Sequence, residues 1–143
     1  MSTAKDLTKE APRSPRTRLG NYVILARSLD KGRAVLDGKV GEYHFDCPLD
    51  NFLFGFKGVK GDEIKQQLIA GASDEDIVKW LDTHGAAKTP EEVVEFGKQA
   101  EGYLPYNDPE RKEWFAGECA NVGIDPATST LFDFLEADDR KSF

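Results

Sequence analysis

Apolar residues recur at helical spacing over most of the chain. In the first such run, which begins near Leu19, the residues on one helical face follow at alternating steps of three and four: Tyr22, Leu25, Leu29, Gly32 and Leu36. A glycine within this apolar face indicates that another element packs close against it. The spacing therefore predicts an amphipathic helix, which the glycines at positions 38 and 41 then break.

Start and stop signals delimit the later helices. Pro48 suits the first position of a helix that Cys47 caps, and Asp50 then stands third, where a carboxylate meets unpaired backbone N–H groups. Ser73 and Thr89 are predicted to cap two further helices. Other helices are predicted around residues 64–68, after residue 108 and after residue 126, with residues 136–143 left to fray.

Two segments lack helical periodicity. Residues 1–18 contain the sequence APRSPR, whose prolines forbid a continuous helix, so they are predicted to form an arm along the surface. Near residues 40–46, Tyr43 and Phe45 face one way while the residues between them face the other, which predicts a short extended segment. This segment is either a connector or the contact of a homodimer, because a lone strand needs a partner.

Length and composition fit one globular domain. A chain of 143 residues with 39% hydrophobic and 31% charged side chains can bury one core. The predicted fold is all-α: a single helical domain of five to seven short helices over residues 19–143, preceded by the arm.

No apolar run is long enough to span a bilayer, and the polar opening lacks a signal peptide. We therefore expect a cytoplasmic protein without membrane contact. Cys47 and Cys119 are not closely spaced, so both are interpreted as free thiols.

Charge is divided unevenly along the chain. Residues 1–41 hold nine Lys or Arg against four Asp or Glu, whereas residues 42–143 hold ten against twenty-two, which gives a net charge of −7. In one interpretation the basic front of the chain packs over the acidic remainder, and in the other its arginines hold an anionic ligand. The first interpretation is favoured, because ion pairs between exposed groups are common and individually weak.

The second interpretation defines a candidate site for an anion. Arginine binds carboxylate and phosphate groups through parallel hydrogen bonds. The residues predicted to bind the ligand are Arg13, Arg16, Arg27, Lys31, Tyr22 and His44, with Tyr22 or Phe54 as an apolar wall. The sequence therefore favours a non-enzymatic binding or interaction module, for a small anionic ligand or a protein partner, that uses no cofactor.

An enzyme is the alternative hypothesis. His44 would act as acid or base with Asp46 to orient it, or Cys47 would act as a nucleophile. A helix N-terminus favours the thiolate of a cysteine there, but the carboxylates of Asp46 and Asp50 oppose it by a comparable amount. No catalytic residue is therefore assigned.

Two other kinds of site are disfavoured. Glu42, His44 and Asp46 would offer metal ligands at alternate positions, but the other histidine, His84, ends a different helix, so no metal site is predicted. The helices around the sequence GASDED have the spacing of a helix-turn-helix motif, yet the second opens with three acidic residues that oppose phosphate contact. We expect no nucleic-acid partner.

Three stretches of the chain resemble a known family. They are Pro-Arg-Ser-Pro-Arg at residues 12–16, Leu-Gly-x-Tyr at residues 19–22 and Asp-Lys-x-Arg-Ala at residues 30–34. They are similar to those of small bacterial proteins grouped as domain of unknown function 5069, and the similarity covers nearly the whole chain. The resemblance implies a compact, mainly helical domain of bacterial source. It carries over no activity and no site residues.

Overall fold

The computed structural model describes residues 4–143, in which the regular elements are seven α-helices and one 3₁₀ turn. The α-helices are α1 (Leu25–Leu36), α2 (Pro48–Lys57), α3 (Gly61–Ile69), α4 (Asp74–Thr83), α5 (Pro90–Glu101), α6 (Lys112–Val122) and α7 (Leu131–Ser142), and the 3₁₀ turn is Pro105–Asn107. Residues 4–143 contain no β-strand, so the prediction of an all-α fold with five to seven helices is confirmed. None of the helices in this range is long and apolar enough to cross a membrane.

Side-chain caps begin two helices where the sequence predicted them. Ser73 accepts a hydrogen bond of 3.1 Å from the backbone N–H of Asp76, and Thr89 accepts one of 3.1 Å from Glu92. In return, the carboxylate of Asp76 accepts a hydrogen bond from the backbone N–H of Ser73, and that of Glu92 accepts one from the backbone N–H of Thr89. These reciprocal pairs satisfy donors that the first turn of a helix leaves without partners. The predicted caps of α4 and α5 are therefore confirmed.

Helix α1 begins at Leu25 and not near Leu19. Leu19 and Tyr22 exchange two backbone hydrogen bonds, of 3.0 and 2.9 Å, which close a tight turn. Ile24 then adopts a left-handed backbone conformation with φ 74°, which is costly for a β-branched residue. Its N–H donates a hydrogen bond of 2.8 Å to the carbonyl of Pro15. The predicted start was wrong because this contact with the arm overrides the helical spacing.

The arm follows the surface of the helical domain from residue 4 to residue 18. Leu7, Pro12 and Pro15 are buried, and the N–H of Leu7 donates a hydrogen bond of 2.8 Å to the carbonyl of Lys39, beyond the end of α1. The arm is therefore attached through apolar burial as well as charge. The first three residues of the predicted arm lie outside the described residues.

Helix α1 forms the centre of the core. Every residue from Tyr22 to Gly32 is buried. Apolar side chains of the other helices pack with it in one cluster, among them Leu53, Phe54, Ile64, Ile77, Leu81 and Phe132. A smaller cluster joins α6 to α7 through Phe115, Cys119 and Phe134. Burial raises the pKa of the Cys119 thiol, which fits an unreactive core residue.

The end of the chain is helical as far as Ser142, although residues 136–143 were predicted to fray. Ala137 and Asp139 are buried, and the carboxylate of Asp139 binds the guanidinium of Arg27 on α1. Removing either partner of a buried pair leaves a charge without compensation, so this contact fixes the last turns of α7. The prediction was wrong because the residue that orders this segment is distant in sequence.

Residues 40–46 connect α1 to α2 through turns and contain no strand. Tyr43 and Phe45 are half-buried, whereas the residues between and around them are exposed: Glu42, His44 and Asp46. The predicted alternation of faces is confirmed. The Tyr43 hydroxyl donates a hydrogen bond of 2.8 Å to Asp139, so the segment packs against its own chain. A homodimer through this segment stays a prediction.

Gly32 allows α1 and α3 to approach closely. A Cβ atom at this position would lie 2.6 Å from Cδ1 of Leu68 and 3.1 Å from the ring of Phe45. Gly55 is a helical glycine in α2 that is exposed, and no heavy atom lies within 4 Å of a Cβ placed there. The close neighbour predicted from the sequence is therefore confirmed for Gly32.

We expect Gly32→Ala to lower the free energy of unfolding by about 1–2 kcal/mol, because overpacking at Leu68 outweighs the gain in helix propensity. Gly55→Ala is the matched control and is expected to raise it by about 0.5–1 kcal/mol, since only the propensity changes. Urea unfolding of both variants measures the difference. A Gly32→Ala protein as stable as the Gly55→Ala protein would contradict the tight α1–α3 contact.

Candidate functional site

Arg13 joins the arm to α1 and α4. Its guanidinium donates two hydrogen bonds of 3.0 Å to the carboxylate of Asp30 and one of 3.0 Å to Asp74. Arg33 of α1 donates to the other oxygen of Asp74 at 2.7 Å. Burial by itself would raise the pKa of Asp74, but the hydrogen bonds from the two arginines hold that pKa below its usual value. Asp74 is therefore an ionised bridge between two cations.

Arg16 and Arg18 attach the arm to the helices on its other side. Arg16 donates a hydrogen bond of 2.8 Å to Glu136 and one of 2.6 Å to Asp133, both on α7. Arg18 donates one of 2.9 Å to Glu101 at the end of α5. These guanidinium groups are about one third exposed, so solvent weakens the pairs.

Arg27 forms its ion pair inside the protein. Only 3% of its side chain is exposed, and it donates hydrogen bonds of 2.7 and 3.1 Å to the two carboxylate oxygens of Asp139. The Tyr43 hydroxyl donates to the same carboxylate. Burial first, and then this hydrogen bond, raises the pKa of the Tyr43 hydroxyl, which therefore remains a donor. The three side chains connect α1, α7 and the 40–46 segment.

Lys31 and Asp50 form a second buried pair. The Lys31 ammonium lies 3.0 Å from the carboxylate of Asp50, whose side chain is fully buried. Asp50 also accepts hydrogen bonds from the Ser28 hydroxyl and from the backbone N–H of Asp46 and of Cys47. The predicted role of Asp50 at the start of α2 is therefore confirmed. Its second role, as the partner of a cation on α1, is not evident from the local sequence.

The same ammonium of Lys31 lies 3.2 Å from Sγ of Cys47. The local sequence places two carboxylates near this thiol and no cation. The cation was missed because Lys31 follows the pattern of a charged helix surface, and only the packing of α1 on α2 brings it to the thiol. Cys47 is half-buried at the cap of α2.

The four cations predicted to bind an anion thus meet carboxylates of their own chain: Arg13, Arg16, Arg27 and Lys31. This arrangement confirms the interpretation in which the basic front of the chain packs over the acidic remainder. The partners lie on α1, α2, α4 and α7, so the four side chains serve separate contacts. Their role in anion binding stays a prediction, and an anion bound there would have to displace a carboxylate.

His44 and Asp46 line one cavity of about 340 Å³, together with Asp62 and Lys65. The Asp46 carboxylate accepts a hydrogen bond of 2.9 Å from the side-chain amide of Asn51. Within residues 4–143 it accepts none from His44, so Asp46 does not orient the imidazole. Cys47 is not among the lining residues. The acid–base branch of the enzyme hypothesis therefore lacks the contact between His44 and Asp46 that it requires. The Cys47 thiol has the Lys31 ammonium beside it, but within residues 4–143 it forms no hydrogen bond with His44.

The metal hypothesis required Glu42, His44 and Asp46 to meet. In the described part of the chain, no three His, Cys, Asp or Glu side chains gather closely enough to hold a metal ion. The alternation of buried and exposed side chains along residues 40–46 points the three toward solvent without a fourth ligand.

Tyr22 lies at the edge of a different cavity, of about 300 Å³, between the turn before α1 and helices α4 and α5. We call this the Tyr22 cavity. Its lining is Gly20, Asn21, Tyr22, Val78, Asp82, Lys88, Pro90 and Val93. The Tyr22 hydroxyl donates a hydrogen bond of 2.7 Å to Oδ1 of Asp82. Burial, followed by this hydrogen bond, raises the pKa of the Tyr22 hydroxyl, so it remains protonated.

Two lysines contribute positive charge at the Tyr22 cavity. Lys88 lines it, and its ammonium lies 4.7 Å from the ring centre of Phe56. Lys57 is buried nearby and donates a hydrogen bond of 2.8 Å to the carbonyl of Ala86, and burial lowers its pKa. No carboxylate of residues 4–143 forms an ion pair with either ammonium. No pattern in the sequence points to Lys88, which stands directly before the cap of α5.

Two further cavities lack a cation in their lining. One, of about 580 Å³ between the arm and the end of α7, is bordered by the acidic residues Glu42 and Asp138. The other, of about 130 Å³, is apolar and lies between Ile24, Phe52 and Phe132. Neither offers a positive group to an anion.

A family model matches most of the chain. Residues 9–141 match the family model described as Domain of unknown function (DUF5069), so the chain belongs to that family. No curated protein matches the chain.

We expect Lys31→Met and Asp50→Asn, each alone, to lower the free energy of unfolding by about 3–5 kcal/mol, because each leaves a buried group without its charged partner. The double variant should lose less than the sum of the two, since the residues share one contact.

Lys39 and Asp37 provide the control, an exposed ion pair of 3.0 Å at the end of α1. Neutralising either of them should leave stability nearly unchanged. Chemical unfolding followed by circular dichroism gives both sets of values. Strict additivity of the Lys31 and Asp50 effects would argue against the buried pair.

Proposed function

We propose that this protein is a non-enzymatic binding module whose site is the Tyr22 cavity, and that its ligand carries an anionic group. The observation that carries the proposal is Lys88, a cation that lines a cavity of about 300 Å³ without a carboxylate partner among residues 4–143. Small-molecule sites usually occupy about 300 Å³ or more and combine apolar walls with a few polar groups. This cavity is at the lower end of that range, which favours a small ligand.

The charge around Lys88 supports an anion. The buried ammonium of Lys57 adds to the positive potential, and the amide of Asn21 offers a donor in the lining. An anion that reaches Lys88 gains a charge-assisted hydrogen bond and displaces no internal ion pair. At Arg13 or Arg16 the same anion would compete with carboxylates already held at 2.6–3.0 Å. For this reason we place the proposed site at the Tyr22 cavity and not at the arm. Of the ligand-binding residues predicted from the sequence, this site includes Tyr22.

The polar groups of the cavity favour binding over catalysis. A catalytic tyrosine needs a lowered pKa to lose its proton, and a nucleophilic thiol needs a base or a cation beside it. The Tyr22 hydroxyl is instead committed to Asp82 and remains protonated. His44 and Cys47, the residues of the enzyme hypothesis, are not part of this cavity.

Calorimetric titration of the full chain with a panel of small carboxylates and phosphates tests the proposal. We expect at least one anion to bind, and Lys88→Gln to weaken that binding by about tenfold or more, the usual effect of losing one charged hydrogen bond. Lys98→Gln is the matched control, an exposed lysine of α5 that does not line the cavity. It should leave the affinity unchanged.

Arg16→Gln distinguishes the two locations of the anion site. If this variant abolishes binding and Lys88→Gln does not, the ligand is held by the arm and the proposed site is wrong. If no anion of the panel binds to the unmodified protein, the proposed function itself is contradicted.

A further inference from the structure

We infer that the ligand of the Tyr22 cavity is a zwitterion of the α-amino acid class with a branched apolar side chain. This inference rests on the proposed function and adds a second charged contact to it. The geometry points to Asp82 as the group that receives the ligand's ammonium and to Lys88 as the group that receives its carboxylate. Both residues line the same cavity.

The carboxylate of Asp82 has room for a second donor. Oδ1 accepts the hydrogen bond of 2.7 Å from the Tyr22 hydroxyl, while Oδ2 accepts none from residues 4–143. A carboxylate has about four acceptor positions, so the contact with Tyr22 orients Asp82 and leaves most of its capacity available. The group is negatively charged and fixed in direction at the cavity wall.

Asp82 and Lys88 carry opposite charges but do not form an ion pair with each other. Ten ion pairs form elsewhere within residues 4–143. Each makes a contact of another kind: Asp82 accepts a hydrogen bond from Tyr22, and the Lys88 ammonium lies over the ring of Phe56. A molecule that carries an ammonium and a carboxylate can complete both contacts at once, which neither a plain anion nor a plain cation can do.

Asp82 also argues against ligands that are only anionic. A carboxylate or phosphate bound at Lys88 would lie in the same small cavity as the Asp82 charge, and like charges repel. An ammonium on the ligand converts that repulsion into a charge-assisted hydrogen bond. Among the anionic ligands that Lys88 attracts, Asp82 therefore favours those that also carry an ammonium group.

The other lining residues indicate which kind of side chain the ligand carries. Val78 of α4 and Val93 of α5 provide branched apolar surface, and Pro90 adds a ring without an N–H donor. A cavity of about 300 Å³ accommodates a single amino acid. Leucine and valine fit this combination of two charges and a short branched chain.

Three probes of one carbon skeleton test the inference: L-leucine, 4-methylpentanoate, which lacks the ammonium, and 3-methylbutylamine, which lacks the carboxylate. In calorimetric titrations of the full chain, L-leucine is expected to bind at least about tenfold more tightly than either of the others, because it alone makes both charged contacts. Equal binding of L-leucine and 4-methylpentanoate would overturn the inference and leave the proposed anion-binding function intact. Binding of 3-methylbutylamine alone, or of none of the three, would overturn the inference, and the panel of other anions then decides the proposed function separately.

Two variants, Asp82→Asn and Lys88→Gln, test which residue contacts the ligand's ammonium and which contacts its carboxylate. Asp82→Asn keeps an acceptor for Tyr22 and should weaken L-leucine binding by about tenfold while leaving 4-methylpentanoate binding equal or stronger. Lys88→Gln should weaken the binding of both. Glu75→Gln, an exposed acidic residue of α4 outside the cavity lining, is the control and should change neither. If Asp82→Asn weakens both probes equally with its circular dichroism unchanged, Asp82 does not contact the ammonium and the inference is wrong.

Discussion

Helix α1 is buried together with its charged side chains, and their pairing organises the other elements around it. Arg27, Asp30 and Lys31 stand in the fully buried stretch from Tyr22 to Gly32. A charge inside a protein is tolerated only where a partner and hydrogen bonds compensate the loss of water. Each of the three is therefore paired, with Asp139, Arg13 and Asp50 respectively. These pairs fix α7, the arm and α2 around α1.

This use of charge decides which groups remain available for a ligand. The arginines of the arm and the lysine of α1 neutralise carboxylates of the same chain, and their geometry is that of structural contacts. Asp82 is exposed and Lys88 is half-buried, and each has a contact other than an ion pair. An unpaired charge beside a cavity retains its capacity to bind. Lys65 also lines a cavity, but the carboxylates of Asp46 and Asp62 share that lining, so the proposed site is the one at the α4–α5 end of the domain.

The entry into α1 connects the core to the candidate site. The turn from Leu19 to Tyr22 and the left-handed Ile24 place the Tyr22 ring in the core while its hydroxyl reaches Asp82. Gly20 in this turn has φ 59°, and a Cβ there would lie 2.9 Å from the side chain of Val78 on α4. The conformation that shortens α1 is therefore the one that forms a wall of the Tyr22 cavity. A helix that began at Leu19 would not form this wall.

Properties that depend on neighbours along the chain could be predicted from the sequence. The all-α class, the caps at Ser73 and Thr89 and the close approach at Gly32 all follow from spacing, capping chemistry and side-chain size, which act over a few residues. Contacts between residues distant in sequence became visible in the folded structure. It shortened α1 through Pro15, extended α7 through Arg27, paired the predicted anion-binding cations internally and brought Lys88 to the cavity of Tyr22 and Asp82. Local patterns show that a side chain is charged or apolar, but the partner that neutralises or buries it is set by packing across the whole domain.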